Sequence, residues 1–214
     1  MTDGRTDCLT RAIESARYNL QGEVTHKVIH DDTGDEAHRD YLRGAFPDFE
    51  VIGQPTRQGF GGAIRSAWAN LRTRPERSVF HLEDDFVFNE PIELPMMQQV
   101  LDRNPQLVQL ALRRQPWNDA ERAAGGIVEQ HPDDYVDCSD GLSHWLEHRR
   151  FFTTNPSMYR RVLMEMEWPE SEHSEGRFGL ALCENPTARF GYWGRRTDPP
   201  KVHHIGDQRA GTGY

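Results

Sequence analysis

Leu9, Ala12, Ile13, Ala16 and Leu20 recur at helical spacing and share one face, which predicts a helix from about Asp7 to Leu20. Val24 to His30 reads as a strand running into the turn-rich cluster Asp31-Asp32-Thr33-Gly34-Asp35. A second helix is expected from Glu36 to Gly44, then a short strand around Glu50 to Gly53. Gly59-Phe60-Gly61-Gly62 opens a third helix, with apolar positions at Ala63, Ile64, Ala67, Trp68 and Leu71. Ser78 to Leu82 is a compact apolar strand leading straight into Glu83-Asp84-Asp85. Strands alternating with helices of this length predict an α/β layer on a mostly parallel sheet.

Beyond Asn89 the pattern loosens. Met96 to Arg103 reads as a helix, Leu107 to Leu112 as a strand, and Arg113 to Ser143 as an irregular polar stretch. Phe151 to Thr154 is expected as a strand, Pro156 to Glu167 as a helix with proline in its first turn, and Ser174 to Leu182 as another helix. No internal repeat and no long linker divides the 214 residues, so one domain is expected, with its more regular half over residues 1–90 and a looser half over 91–214. The start is irregular: no strand precedes the first helix, although such a sheet ordinarily opens with one. Either the start omits that strand or Met1-Thr2 serves in its place.

Composition narrows the function classes. A hydrophobic content of 36% with 28% charged residues allows a sizeable core and argues against wholesale disorder. A net charge of −9 argues against a nucleic-acid binder that works by neutralising phosphates. No apolar run approaches the roughly 20 residues needed to span a bilayer, and Met1-Thr2-Asp3-Gly4-Arg5 is no signal peptide, so a cytoplasmic protein is expected. Cys8, Cys138 and Cys183 are too scattered for a disulfide scaffold or zinc ribbon and read as reduced thiols. Only Lys27 and Lys201 are lysines among the 25 basic side chains; arginine forks suit phosphate and carboxylate, and a GC-rich genome gives the same bias. Neither lysine follows a glycine, which excludes P-loop kinases and ATPases, and no G-x-S-x-G or H-E-x-x-H segment occurs.

Five clusters carry candidate chemistry. Glu83-Asp84-Asp85 follows a buried strand at the sheet edge where ligands bind, and three adjacent acids suit a hard divalent cation; the competing reading is an acidic turn. Asp31-Asp32 with Asp35 ends another strand on the same rim, where carboxylates accept from ribose or a base edge, although Asp35 equally caps the next helix. Arg57 to Arg65, including Gly61, places glycines and two arginines at a helix start, suited to an anion or simply to close helix packing. Glu172 and Glu175, in the stretch Trp168 to Gly176, are general-base candidates or ordinary helix-start residues. His203-His204 offers an imidazole to a metal, or is polar tail.

In this order the clusters resemble the GT-A class of nucleotide-sugar-dependent glycosyltransferases, close to its large inverting family. The resemblance covers most of the chain and implies a GT-A-like fold with a Rossmann-type central sheet, its first strand truncated or missing. Asp31-Asp32 resembles the acidic pair that contacts the nucleoside. Arg57 to Arg65 is similar to the family's Asn-x-Gly-x-x-x-Ala-Arg segment, with Arg57 in the place of Asn. Glu83-Asp84-Asp85 resembles the Asp-x-Asp signature, which implies Asp85 as the direct metal ligand, Glu83 on ribose or metal-bound water, and Asp84 in support. The resemblance further implies Glu175 as catalytic base with Glu172 in reserve, and His204 or His203 completing the shell of Mn²⁺ or Mg²⁺. A hexosyltransferase follows, moving a sugar from a nucleoside diphosphate, with UDP favoured, to a hydroxyl of a protein or glycan, with inversion. Residues 1–90 then bind the nucleotide and 91–214 the acceptor, with Trp117 and Trp145 as stacking candidates, one of them expected in the core. Compact length and abundant arginine resemble glycosyltransferases carried by phages of high-GC bacteria, placing the protein in a bacterial or infected-host cytoplasm. The alternatives are a sugar nucleotidyltransferase, which wants a long glycine-rich loop after the first strand with a catalytic lysine or arginine, and a non-catalytic sugar- or protein-binding relative.

Overall fold

A computed structural model describes residues 1–206. The chain runs through α1 (Thr6–Asn19), β1 (Leu20–Gln21), β2 (Val28–Asp31), α2 (Glu36–Ala45), β3 (Glu50–Gly53), α3 (Gly59–Leu71) and β4 (Ser78–His81). Next come β5 (Phe86–Phe88), β6 (Ile92–Glu93), α4 (Leu94–Arg103), β7 (Leu107–Ala111), α5 (Asp119–Ala124) and α6 (Ile127–Gln130). The remainder is β8 (Val136–Ser139), β9 (His144–His148), β10 (Ser157–Arg160), α7 (Ser174–Cys183), β11 (Arg189–Trp193) and β12 (Val202–His204).

Local chemistry accounts for the regular front half. The α1 stripe buries Leu9, Ala12 and Ile13, and Leu9 and Ile13 pack with Ile29, Leu42, Phe46 and Val51 of the following β-α-β unit. Asp35 caps α2 by accepting from the Ala37 amide at 2.9 Å. α3 buries Ala63, Ile64, Ala67 and Trp68, so the helix stripe read from the sequence is its packed face.

The main sheet has six strands in the order β4-β10-β7-β11-β9-β8. Parallel pairing is found between β7 and β11 and in the separate β1–β6 and β2–β3 pairs; β10 and β9 insert antiparallel to their neighbours, so the main sheet is mixed. Met1-Thr2 bridges the gap foreseen at the start. The Thr2 amide donates to His30, the Asp32 amide donates to Thr2 (both 2.9 Å), and the Met1 amino group donates to the Leu82 carbonyl at 2.7 Å. These few bonds tie the ends of β2 and β4 into one rim.

The rear half corrects several expectations. Phe151 to Thr154 forms no strand, and the helix expected over Pro156 to Glu167 is instead β10 followed by a 3₁₀ turn at Arg161–Glu165. Ser157, Met158 and Tyr159 are buried between β4 and β7, and pairing on both sides overrides a helix-like spacing of apolar residues. The stretch Arg113 to Ser143 holds α5, α6 and β8, the last joined to β9 through a turn at Asp140-Gly141. Cys8, Cys138 and Cys183 are free and half-buried. No helix among the described residues is long and apolar enough to cross a membrane.

Buried histidines make the fold acid-sensitive, and burial lowers the pKa of His81 as it does those of His30 and His148. Burial lowers His30 from 6.5 to about 4, and burial with the nearby Arg150 charge lowers His148 to about 3. Both are neutral in the fold at pH values where the unfolded chain is already protonated. The unfolded state therefore binds more protons, and stability falls as pH drops from about 6.5 towards 4. For His30 this loss is on the order of 3 kcal/mol over the window. Urea midpoints at pH 7.5, 5.5 and 4.5 should decline accordingly, and His30→Leu should flatten the slope, because neither ring nitrogen of His30 has a partner to lose. Equal midpoints at pH 7.5 and 5.5 would refute this.

Candidate active site

The rim left by β2 and β4 sets the acids. Asp31 is the last residue of β2 and Asp32 follows it, and Glu83, Asp84 and Asp85 lie in the turn between β4 and β5. A cavity of about 810 Å³ opens over this rim; Asp32, Glu83, Asp84, Glu172, Glu175 and His204 all line it.

Arg5, just before α1, ties the cluster together. Its Nη1 donates to Asp85 Oδ2 at 2.6 Å, Nη2 donates to Asp84, and Nε donates to Asp3 at 3.1 Å. Thr2 Oγ1 donates to the other Asp84 oxygen at 2.7 Å. Burial pushes Asp84 up to about 6 against the opposing pull of Arg5. Burial acts in the same sense on Asp85, but the His204 imidazole and the Arg5 guanidinium outweigh it and hold that carboxyl below the usual range. The two neighbours thus differ: Asp85 is the firmly ionised one.

His204 reaches Asp85 from β12, with Nε2 at 3.0 Å from Asp85 Oδ2. Its backbone is clamped by the Gln115 side chain, which donates to the His204 carbonyl and accepts from its amide, both at 2.9 Å. The ring lies between Phe86 and Trp117, with centroids 4.8 and 4.6 Å away. Trp117 is 43% exposed and lines the cavity, whereas Trp145 is buried in the core. Glu121 accepts from the Trp117 amide and from Arg114, fixing this wall.

The opposite wall is the start of α7. Glu175 sits in its first turn and reaches across to Thr154, accepting from the amide at 2.6 Å and from Oγ1 at 3.1 Å. Burial raises its pKa, and the negative charge of Glu83 adds to the rise. His173, just before the helix, holds a left-handed backbone (φ 59°, ψ 34°) without a capping side chain. Strained positions of this kind cluster at ligand sites.

The remaining candidates divide. Asp31 is fully buried away from the cavity, accepting from Thr33 at 2.6 Å and His38 at 2.9 Å, with Arg39 at 3.5 Å. Asp32 faces the cavity and accepts from the Gln58 amide at 2.8 Å. Arg57 lines the cavity beside Asp3 and Asp32. Arg65 turns away to Glu170 and the Pro169 carbonyl. A Cβ on Gly61 would lie 3.3 Å from Ser174 Oγ, so that glycine lets α3 approach α7 closely. His203 is exposed and stands outside the cavity lining. Arg5, Thr154 and Gln115 join the site with no signal in the sequence, because a lone arginine, threonine or glutamine carries no pattern.

Among the described residues, no group of three or more His, Cys, Asp and Glu side chains is arranged to hold a metal ion. Asp85 and His204 nevertheless offer a carboxylate and an imidazole side by side, and Asp85 Oδ1 and His204 Nδ1 are buried without hydrogen-bond partners. Mg²⁺-type ions are commonly held by one or two protein ligands, with substrate phosphates and water supplying the rest. The pair therefore fits an ion that arrives with a diphosphate better than one caged by protein alone.

No family model matches the chain, and no curated protein is similar to it. Solved structures do share its fold. One is GalNAc-T7 with UDP, GalNAc and Mn²⁺, 10% identical with a TM-score of 0.59 over 92% of this chain and 40% of that one. Another is a CMP:2-keto-3-deoxy-manno-octonic acid synthetase complexed with CTP, 15% identical with a TM-score of 0.52 over 86% of this chain and 77% of that one. The chain thus spans about 40% of the length of GalNAc-T7. At such identities the likeness is one of fold, and the fold is the α/β, GT-A-like, Rossmann-type class expected from the sequence.

Proposed function

We propose that the protein is a glycosyltransferase that moves a sugar from a nucleoside diphosphate to an acceptor hydroxyl with inversion. The observation that carries this reading is the single cavity into which separate segments send Asp32, Asp84, His204 and Glu175. Asp32 and Arg57 are suited to the nucleoside end of the donor. Asp85 and His204 would hold Mn²⁺ or Mg²⁺, which when bound stabilises the diphosphate as a leaving group. Glu175, fixed by Thr154, takes the proton of the acceptor hydroxyl. The acceptor oxygen bonds to the anomeric carbon from the far face, and the bond from that carbon to the diphosphate breaks with its electron pair leaving on oxygen. The exposed face of Trp117 offers a stacking surface for a sugar ring.

The donor class is taken from the resemblance in sequence and from the UDP found in GalNAc-T7. Thermal stabilisation and donor hydrolysis across a panel of nucleotide sugars, with Mn²⁺ and with EDTA, test it. A UDP-sugar should raise the melting temperature and be hydrolysed slowly with Mn²⁺; failure of every donor in both readouts would refute the reading. A second reading, sugar nucleotidyltransfer, draws on the likeness to the CTP-bound synthetase. It predicts pyrophosphate release from CTP and a sugar acid. The turn before α1 holds Gly4 alone and its Arg5 is bound to Asp84 and Asp85, which favours the first reading.

A further inference from the structure

We infer that Arg5 is a built-in counter-cation that makes divalent-ion binding and diphosphate binding in this cavity depend on each other. The inference rests on the glycosyltransferase reading and concerns how the same site fills. One guanidinium contacts three carboxylates, those of Asp3, Asp84 and Asp85. Its bond to Asp85 ends on Oδ2, the oxygen that also faces His204 Nε2. The backbone closes over this point: a Cβ on Gly206 would lie 2.3 Å from Asp85 Oδ2 and 2.9 Å from Arg5 Nη1. The oxygen nearest the imidazole is therefore already occupied by a positive group with little room beside it.

Two consequences follow from charge. An ion approaching Asp85 and His204 alone meets a fixed cation and must compete with it for the carboxylate. A diphosphate removes the competition. Arg5 lines the cavity with 22% of its side chain exposed, and a guanidinium fork pairs with phosphate oxygens as readily as with carboxylates. With phosphate present, Arg5 has a replacement partner and releases Asp85 Oδ2. Each ligand then favours the other, and by linkage the factor is the same in both directions.

The test measures Mn²⁺ binding by the electron paramagnetic resonance signal of free Mn²⁺, with and without UDP, and UDP binding by calorimetry with and without Mn²⁺. In the wild type, UDP should tighten Mn²⁺ binding by about tenfold or more, and Mn²⁺ should tighten UDP by the same factor. Arg5→Gln should bind Mn²⁺ alone more tightly than wild type and lose at least about fivefold of the coupling. Arg5→Lys keeps the charge without the fork and should retain weak binding of the ion alone; if Arg5→Gln does not fold, loss of coupling in Arg5→Lys decides the question. Variants that bind Mn²⁺ no more tightly, with coupling unchanged, overturn the inference while leaving the glycosyltransferase reading in place. A wild-type protein that binds neither UDP nor Mn²⁺ overturns both.

Discussion

Asp85→Ala is expected to lower sugar transfer by at least about 10²-fold while the protein stays folded. Asp85 is the acid of the cluster held ionised by its neighbours, and its carboxylate is contacted by Arg5 and His204. Removing it takes away the carboxylate paired with the imidazole and leaves the Arg5 guanidinium held by Asp84 and Asp3. The backbone contribution survives: the Asp85 carbonyl accepts from Ile205 at 2.7 Å, and β12 still pairs with β5. Asp85→Asn keeps the shape and removes only the charge, so it should lose nearly as much activity with a smaller change in melting temperature. The measurement is kcat/KM for the best donor of the panel at saturating Mn²⁺, beside a thermal melt. If Asp85→Ala turns over at the wild-type rate, the acidic cluster has no part in the chemistry. If instead the wild type is inert and Asp85→Ala preserves the biological effect, a non-catalytic binding role takes precedence.

The front half of the fold was legible because local signals and packing agree there. The α1 stripe, the Asp35 cap and the alternation up to β4 each specify the element that forms. β10 was not legible: it follows a proline and opens a run, Met158, Tyr159, Val162, Leu163 and Met166, at helical spacing, and only pairing with β4 and β7 makes its first part a strand. β11 has Gly191 at its centre, which weakens a strand signal; a Cβ there would lie 2.7 Å from Leu110 Cδ2, so the glycine belongs to tight strand packing. The β8–β9 hairpin did leave a sign in Asp140-Gly141, turn-forming residues that open its four-residue loop, where the Asp140 side chain accepts from the Leu142 and Ser143 amides. The acids of the cavity could be seen because they end buried strands. The split between Asp31 and Asp32 could not, since it depends on His38 and Arg39 of α2 turning back onto Asp31. Nor could the grip of Arg5 on two acids about 80 positions away in the chain.

Glu175→Gln should separate chemistry from binding. The variant is expected to lose about 10²–10⁴-fold in kcat with little change in the donor KM, because proton removal is the step a carboxylate base serves. Gln can still accept from the Thr154 amide and hydroxyl, so the first turn of α7 keeps its anchor. Burial raises the Glu175 pKa above its ordinary 4.5, helped by the charge of Glu83. A base must be ionised to act, so wild-type kcat should rise with pH through that raised value, and the limb should vanish in Glu175→Gln. Stability should move the other way. An acid whose folded pKa is raised binds more protons in the fold than in the unfolded chain, so its ionisation destabilises the fold as pH climbs past 4.5. Neutral Gln escapes that cost, and the variant should melt at or above the wild-type temperature at pH 7 while being nearly inactive, the trade expected where a site strains the fold for function. Glu172, exposed on the same wall, provides the control: Glu172→Gln should leave both the kcat limb and the melt close to wild type. Loss of the limb in Glu172→Gln, with kcat intact in Glu175→Gln, would move the base to Glu172.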